Sequence, residues 1–452
     1  MLMTKLQVDT YLGLVAASSV IRPGVSQSGM MRTYILRHRF PDKRKEAHPI
    51  LYDIMPETYG VMVYQEDVIK VAHYFGGLTL GEADMLRRGM SGKFRSRAEF
   101  LKVKQQFFDN CKNDGKSLEL TAEIWRQIES FAGYAFAKGH SASYAVESYQ
   151  SLYLKCYYPL EYMVATINNG GGFYRVETYV HEAKMHGGNV HPPCVNTSNI
   201  ETIIQGKDIY LGFQHLQGLE KQSMIKLINA RVHEPFRSLQ DFMERVPLGI
   251  EQLDILIRID AFRSFGKDKR TLLWEAFYQH NHIHLDDLQQ RLFSLKTKRF
   301  NLPPFSITDL ENAFDQLELL HFTLYDNFLL LEHPPTNDLV NADLPSYLNK
   351  VITIYGYLVT AKNTSTSKGE RMHFGTFLDQ KGQWLDTVIF PPVARKYPFR
   401  GKGIYRIIGK VVKEFDFLSI ETIKQERMPY IPDPRFSVDH VNSTEQQKIS
   451  VP

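Results

Sequence analysis

The sequence predicts a multidomain chain in which two mainly helical domains are followed by a small β-barrel of the OB type. Three observations point there. At 452 residues the chain exceeds what one hydrophobic core ordinarily serves, so roughly two to four domains are expected. Apolar residues recur at helical spacing through the longer first part. From Val351 to Ile423 the period changes to two, and VITIYGYLVTA, MHFGTFLD, WLDTVIF, GIYRIIGKVV and FLSIETI read as five strands bounded by Gly, Pro and Asp turns.

The helical part begins with an aromatic-rich stretch, Met1 to about Gly187. Leu120, Ile124, Ile128 and Phe131 share one helix face, and Ala145, Tyr149, Leu152 and Cys156 share another that Pro159 stops. Between them GYAFAKGHSAS is rich in Gly and Ser and is expected to be a loop leading into a helix, with Ser141 as its cap. NNGGGFY and HGGNVHPP mark a domain boundary. From about Asn196 to Glu275 two strings, LGFQHLQGLEKQSMIKLINAR and PLGIEQLDILIRIDAFRSFGKDKRTLLWEA, repeat the theme of helix, tight glycine turn and helix. The expected domains are 1–190, 191–345 and 346–428, with a loose, proline-rich tail over 429–452.

Composition narrows the function classes. Hydrophobic residues make up 43% and charged residues 23%, as in globular proteins. YLGLVAASSVI is too short to span a bilayer and lacks the flanks of a signal peptide, so a cytoplasmic protein with no membrane partner is expected. Cys111, Cys156 and Cys194 stand far apart, which excludes a paired-cysteine metal knuckle and offers no disulfide framework. A net charge of +4 announces no nucleic acid by itself, but the charge is unevenly spread. Six basic residues lie between Arg32 and Lys45, and seven lie between Arg87 and Lys104 against the single acid Glu99. Such clusters serve equally as solvated faces or as phosphate-facing surfaces.

Three stretches combine cations with turn residues. In SSVIRPGVSQSGM, Pro23 and Gly24 force a turn beside Arg22, whose guanidinium can grip a phosphate or simply be solvated. In YGVMVYQEDVIKVAHYFGGLTLGEADMLRRGMSGK, the adjacent Arg87 and Arg88 point about 100° apart on a helix, so one can pair internally while the other faces a ligand. Lys93 follows a glycine turn, and these cations can instead answer a helix dipole. In FAGYAFAKGHSASYA, Tyr134 and Phe136 can stack on a base while Lys138 and His140 reach phosphate, or both rings can belong to the core.

Taken together, YQEDVIKVA, LGEADMLRRGMSGK and FAGYAFAKGHSASYAVESYQSLYLKCYYPLEYM resemble the fingers of the bacterial DNA polymerase III alpha subunit family, and the likeness runs over about residues 8–428. The resemblance implies a fingers domain, a tandem helix-hairpin-helix domain and an OB barrel. It assigns nucleotide binding to Arg22, Arg87, Arg88, Lys93, Tyr134, Phe136, Lys138 and His140. Deoxynucleoside triphosphates and DNA, both primer-template and single-stranded, are the partners it implies. Magnesium is expected in the complete polymerase, with none bound by this chain alone, because the family's metal-holding acids belong to a palm upstream of the matching segment. EFDFLSIETI echoes a palm motif, but strand alternation explains it and Asp416 is not read as a catalytic acid. This leaves no catalytic or metal residue expected here, and room for a palm-bearing polymerase fragment as partner.

The remaining expected contacts lie further along. The hairpin turns place Gly218, Gly266, Lys267 and Lys269 toward DNA, although LQGLE carries Glu220 where such a turn normally has a second glycine. QQRLF resembles the short peptide by which polymerases bind the sliding clamp, with Gln289, Leu292 and Phe293 as anchors, and fits an amphipathic helix equally well. On the barrel, Lys362, Lys368, Arg371 and Trp384 combine charge with aromatic surface suited to DNA, and one of Trp384 and Phe390 is expected in the core. The competing reading is a non-catalytic module that binds DNA or tethers the clamp.

Overall fold

The computed structural model describes residues 2–21, 28–90, 97–130, 137–282, 307–366 and 369–436. They form two compact units, one of Met1–Leu154 with Thr366–Gly369 and Val412–Ser419, the other of Lys155–Ser365, Glu370–Val411 and Ile420–Pro452.

The first unit is helical. Its helices are α1 (Leu2–Leu6), α2 (Tyr11–Val20), α3 (Met30–Arg39), α4 (Pro49–Ile54), α5 (Gln65–Lys70), α6 (Leu80–Met90), α7 (Arg97–Asn113), α8 (Leu118–Ser130) and α9 (Lys138–Tyr157), whose last turn passes into the other unit. Local chemistry starts several of them: Thr10 caps α2 by accepting from the Gly13 amide, and Thr79 and Glu82 cap α6 reciprocally. Helix α5 runs into a π-helical turn, Val71–Phe75, which ends at Gly76. There the backbone lies so close to the Phe107 ring that a Cβ would stand 2.2 Å from it, so only glycine fits. Phe75, Phe107 and Trp125 pack with tilted rings around this approach and form the centre of the core with Val68, Leu86 and Ile128.

Two expectations change here. Helix α9 begins at Lys138, so KGHSAS is helix rather than loop. Ser141 caps nothing; it is buried inside the helix with its hydroxyl against that of Ser19. The serine hydroxyl finds a side-chain partner across the core and no longer competes for the local backbone, which removes its usual reason for leaving a helix. Farther along α9, Ala145 is buried but Tyr149, Leu152 and Cys156 are exposed. Pro159 does stop the helix, and opens the next one. On α8, Ile124 and Ile128 are buried as their spacing requires, while Phe131 lies outside the described residues.

The second unit opens with α10 (Pro159–Asn168) and α11 (Val176–Met185), then a sheet of three short strands, β1 (Asn189–His191), β2 (Ile203–Gln205) and β3 (Asp208–Tyr210), in the order β1-β3-β2. Three-residue strands are too short for a period to be read, and the sequence gives no sign of this sheet. Helices α12 (Lys221–Ala230), α13 (Leu239–Arg245), α14 (Ile250–Arg258), α15 (Lys269–His282) and α16 (Asp309–Leu320) follow, packed on Leu227, Phe242, Leu256, Phe262 and Leu272.

A buried carboxylate joins three parts of this region. Asp315 of α16, 4% exposed, accepts from Arg258 of α14, from Lys269 at the start of α15, and from Arg435 near the end of the described chain. Arg435 also pairs with Asp433 and Glu318, and Leu331 bridges to Tyr430. Residues 429–436, read from sequence as the start of a loose tail, are therefore anchored.

All five expected strands are present: β4 (Val351–Ser365), β5 (Arg371–Leu378), β6 (Trp384–Ile389), β7 (Ile404–Glu414) and β8 (Phe417–Arg427). They close into a barrel in the order β4-β5-β6-β8-β7, with β6 and β8 parallel, an arrangement that fits the OB type. Ile354, Phe377, Leu385, Tyr405 and Ile420 fill its interior. Among the described residues no helix is long and apolar enough to cross a membrane.

Removing a partner from a buried ion pair leaves an uncompensated charge and costs about 3–5 kcal/mol. Asp315→Ala strands the buried Lys269 ammonium, so the denaturant midpoint of the full chain should fall accordingly. Glu234→Ala, which releases only the exposed Arg237, should lower it by less than about 1 kcal/mol. Equal losses would show that Asp315 does not organise this region.

Candidate nucleic-acid interface

Two of the first-unit cationic residues attach to the start of α5, Arg87 through its guanidinium and Lys138 through its backbone amide. The opening residues of this helix, Gln65 and Glu66, project in two directions. Gln65 Oε1 accepts from Arg87 Nη1 at 3.1 Å, and Glu66 Oε2 accepts from the Lys138 amide at 2.9 Å. The Lys138 ammonium bonds to Glu57 and lies 5.8 Å from the centre of the Tyr64 ring. Three stretches remote in sequence, around residues 57–67, 84–88 and 138, are thereby drawn together.

Arg87 and Arg88 share one acid, Asp84, a turn earlier on α6. Hydrogen bonds from Arg87, then from Arg88, hold the Asp84 carboxyl below the usual carboxylate range. Arg87 is the inner of the two and Arg88 the outer, with 70% of its side chain exposed. His140 is exposed, with its ring edge-on to Tyr144. Arg22, Lys93, Tyr134 and Phe136 lie outside the described residues. The acids that answer these cations were not anticipated. Asp84 could have been found, three and four residues before Arg87 and Arg88 on one helix; Glu57 and Glu66, on other elements, carry no such signal.

Beneath this cluster Asp67 is buried at the N-terminus of α5, accepting from the amides of Val63 and Tyr64 at 2.9 Å each. Burial raises its carboxyl to about 6, outweighing the two amide bonds that favour the charged form. Asp416, set aside as a catalytic acid, sits at φ +61° in the turn between β7 and β8. Bonds from Lys413 and Arg39 lower its carboxyl to about 2, which describes an ion-paired turn residue.

In the second unit the two glycine turns differ. Gly218 has φ +82° and packs under Ile255, while the Glu220 amide donates to Gln252 Oε1 at 2.8 Å. Gly266 has φ +66°, and beside it Lys267 is half-exposed and paired with Glu275. Lys269 corrects an expectation. It was placed toward DNA, but it is 8% exposed and its ammonium is held by Asp315, so it presents no charge to a phosphate.

On the barrel, Lys362 and Arg371 are exposed. They do not share a face: Lys362 pairs with Phe374 and Arg371 with Ser365, and alternation sends the two side chains to opposite sides of the β4–β5 hairpin. Lys368 lies outside the described residues, as do Gln289, Leu292 and Phe293 of the expected clamp peptide. Trp384 is half-buried, its indole N–H donating to Glu182 of α11 and its ring beside Tyr174 and His181. Phe390 is 41% exposed, so neither aromatic belongs to the barrel core. The interior is already filled by Phe377 and Tyr405, which period-two reading cannot rank against them.

The sequence pattern of the bacterial DNA polymerase III alpha subunit finger domain matches residues 1–115, and that of the helix-hairpin-helix motif matches residues 187–272. The chain is similar to the DNA polymerase III subunit alpha of Staphylococcus epidermidis, 30% identical over 99% of this chain and 41% of that protein. The chain belongs to the DNA polymerase III alpha subunit family. Its counterparts in Aquifex aeolicus, at 27% identity over 87% of this chain and 33% of theirs, and in Staphylococcus aureus, at 31% over 87% and 37%, agree. The chain spans about two fifths of the length of the curated relatives it matches. Within the family's finger domain lie Gln65, Glu66, Asp84, Arg87 and Arg88. Among the described residues no group of three or more His, Cys, Asp or Glu is placed to hold a metal ion.

The raised Asp67 gives this part of the alpha subunit a pH signature. The native chain retains a proton near pH 5 that the unfolded chain, with an ordinary carboxyl at 3.8, releases. The cost of the buried charge is absent below about pH 4 and complete above about pH 6, on the order of 3 kcal/mol. Stability measured by denaturant should therefore fall as pH rises through this window, and Asp67→Asn should flatten the slope. An unchanged slope in the variant would assign the titration elsewhere.

Proposed function

We propose that this chain is the part of a DNA polymerase III alpha-type subunit that binds the incoming deoxynucleoside triphosphate and the template DNA. The observation that carries the reading is the attachment to the start of α5 of Arg87, which shares Asp84 with Arg88, and of the backbone of Lys138, inside and beyond the segment that matches the finger domain. A magnesium nucleoside triphosphate keeps excess negative charge, and a bidentate guanidinium beside an ammonium is suited to it. Each of these cations rests on a carboxylate that a triphosphate can replace: Asp84 for the arginines, Glu57 for Lys138. Because Arg88 and Lys138 are the more exposed, they make the exchange, while Arg87 stays on Gln65 and holds α6 to α5. Arg22, Lys93 and His140 complete the phosphate site, and Tyr134 or Phe136 stacks on the base.

In the same reading, residues 1–190 act as fingers and residues 191–345 bind duplex through the turns at Gly218 and Gly266 with Lys267. The barrel, 346–428, takes single-stranded template on Lys362, Lys368, Arg371 and the exposed part of Trp384. Gln289, Leu292 and Phe293 tether the sliding clamp. The carboxylates that hold magnesium for phosphoryl transfer belong to a palm, which a palm-bearing polymerase fragment supplies. The relatives named DNA polymerase III subunit alpha support a cytoplasmic replication role.

The test combines the chain with a palm-bearing fragment and follows steady-state nucleotide incorporation. Arg88→Ala and Lys138→Ala should each lower kcat/KM by about tenfold or more, as loss of a charge-assisted phosphate bond predicts. Lys207→Ala, on an exposed lysine outside the cluster, should leave it unchanged. Equal activity in all three variants would return these cations to a solvated face.

A further inference from the structure

The two glycine turns of the helix-hairpin-helix region are built on different backbone accounts. In the first, Leu216–Glu220, the amides are largely consumed. Gln217 N–H donates to Leu319 O at 2.7 Å, Leu219 N–H to Leu216 O at 3.4 Å, and Glu220 N–H to Gln252 Oε1 at 2.8 Å. Gln252 returns the bond, its Nε2 donating to Gly218 O at 2.9 Å. The carboxamide thus bridges the turn from the first turn of α14, and Ile255, three residues on, lies against Gly218. Gly218 and Glu220 are nonetheless exposed, so the turn reaches the surface with its leading amide already bonded.

A carboxamide oxygen and a phosphate oxygen are the same kind of acceptor to a backbone N–H, and one amide hydrogen serves only one of them well. The exposed Glu220 adds a carboxylate at the place a phosphate would approach, where like charges repel. The second turn lacks the bridging carboxamide. Although exposed Asp268 stands two residues after Gly266 as Glu220 does after Gly218, its carboxylate is engaged by the Thr271 amide and hydroxyl at the start of α15 and has Lys267 beside it. Gly266 N–H bonds only to Arg263 O within the turn, and among the described residues no side chain accepts from the amides of Lys267 or Asp268.

We propose that Gln252 and Glu220 close the first hairpin turn to phosphate, converting it into a structural joint between α12 and α14, so that duplex DNA is engaged through the second turn alone. This rests on the DNA-binding reading above but departs from it at Gly218, leaving the duplex to the Gly266 turn and Lys267.

Two readouts on the full chain separate this inference from that reading. The first titrates inorganic phosphate and follows backbone amide resonances of residues 218–221. They should stay fixed in the wild type and shift in the Glu220→Gly/Gln252→Ala double variant. The second measures binding to a fluorescent duplex of mixed sequence. The double variant should bind about tenfold tighter than wild type, the gain from one added charge-assisted bond. Melting of each variant alongside wild type shows that the fold is retained, and Gln252→Ala alone should expose the Glu220 amide to hydrogen exchange. A shift of the wild-type amides with phosphate, an unresponsive double variant, or weaker duplex binding by a folded Gln252→Ala would overturn the inference. If no variant retains duplex while the phosphate response follows expectation, the closed turn stands and the DNA reading fails.

Discussion

Cations held close together repel, and a fold that collects them must supply its own counter-charges. This constraint governs both units of the chain. Around α5 the guanidinium groups of Arg87 and Arg88 converge on Asp84, and the Lys138 ammonium rests on Glu57. The backbone shares in the same arrangement, since Glu66 receives the Lys138 amide and so ties the start of α9 to α5. What holds the helices in place is therefore what gathers the charge. The pairs are half-exposed, where an ion pair contributes no more than about 1 kcal/mol, and such a pair exchanges readily for a more highly charged acceptor.

The second unit uses the same chemistry in the opposite regime. Asp315 and Lys269 are almost wholly buried, and there the pair is not exchangeable, because either partner alone would be left charged in a poor solvent. Burial thus sorts the cations by role. Lys269 fixes α15 against α16, whereas Lys267, two residues earlier, stays half-exposed at the turn. Helix α11 applies a third version: Glu177 receives Lys402, and Glu182 receives Trp384 and Lys155, which fixes the barrel within this unit. An aromatic that composition suggests for base stacking is in this way partly spent on structure.

How much of this was legible in the sequence follows from range. The five barrel strands were readable because a period of two needs only a few consecutive residues, and Pro159 marked its boundary for the same local reason. Long irregular strings such as LGEADMLRRGMSGK pointed to the finger domain that residues 1–115 match. Loop composition misled at Lys138–Ser143, where Ser141 finds a hydroxyl 122 residues away. The counter-charges Glu57 and Glu66, the burial of Lys269 and the bridging of Gly218 by Gln252 all join residues far apart in the chain. Local spacing carries no record of such pairings.

The central claim is that the cations around the start of α5 receive the triphosphate. It is tested most directly by photo-crosslinking a phosphate-tagged nucleotide analogue to the chain in the presence of primer-template DNA and a palm-bearing fragment, then mapping the labelled peptides. Labelling should fall on the peptides carrying Arg87 and Arg88 and on that carrying Lys138, and excess unlabelled deoxynucleoside triphosphate should displace it. Labelling confined to the barrel or to the hairpin turns, with the α6 and α9 peptides unmodified, would contradict the account.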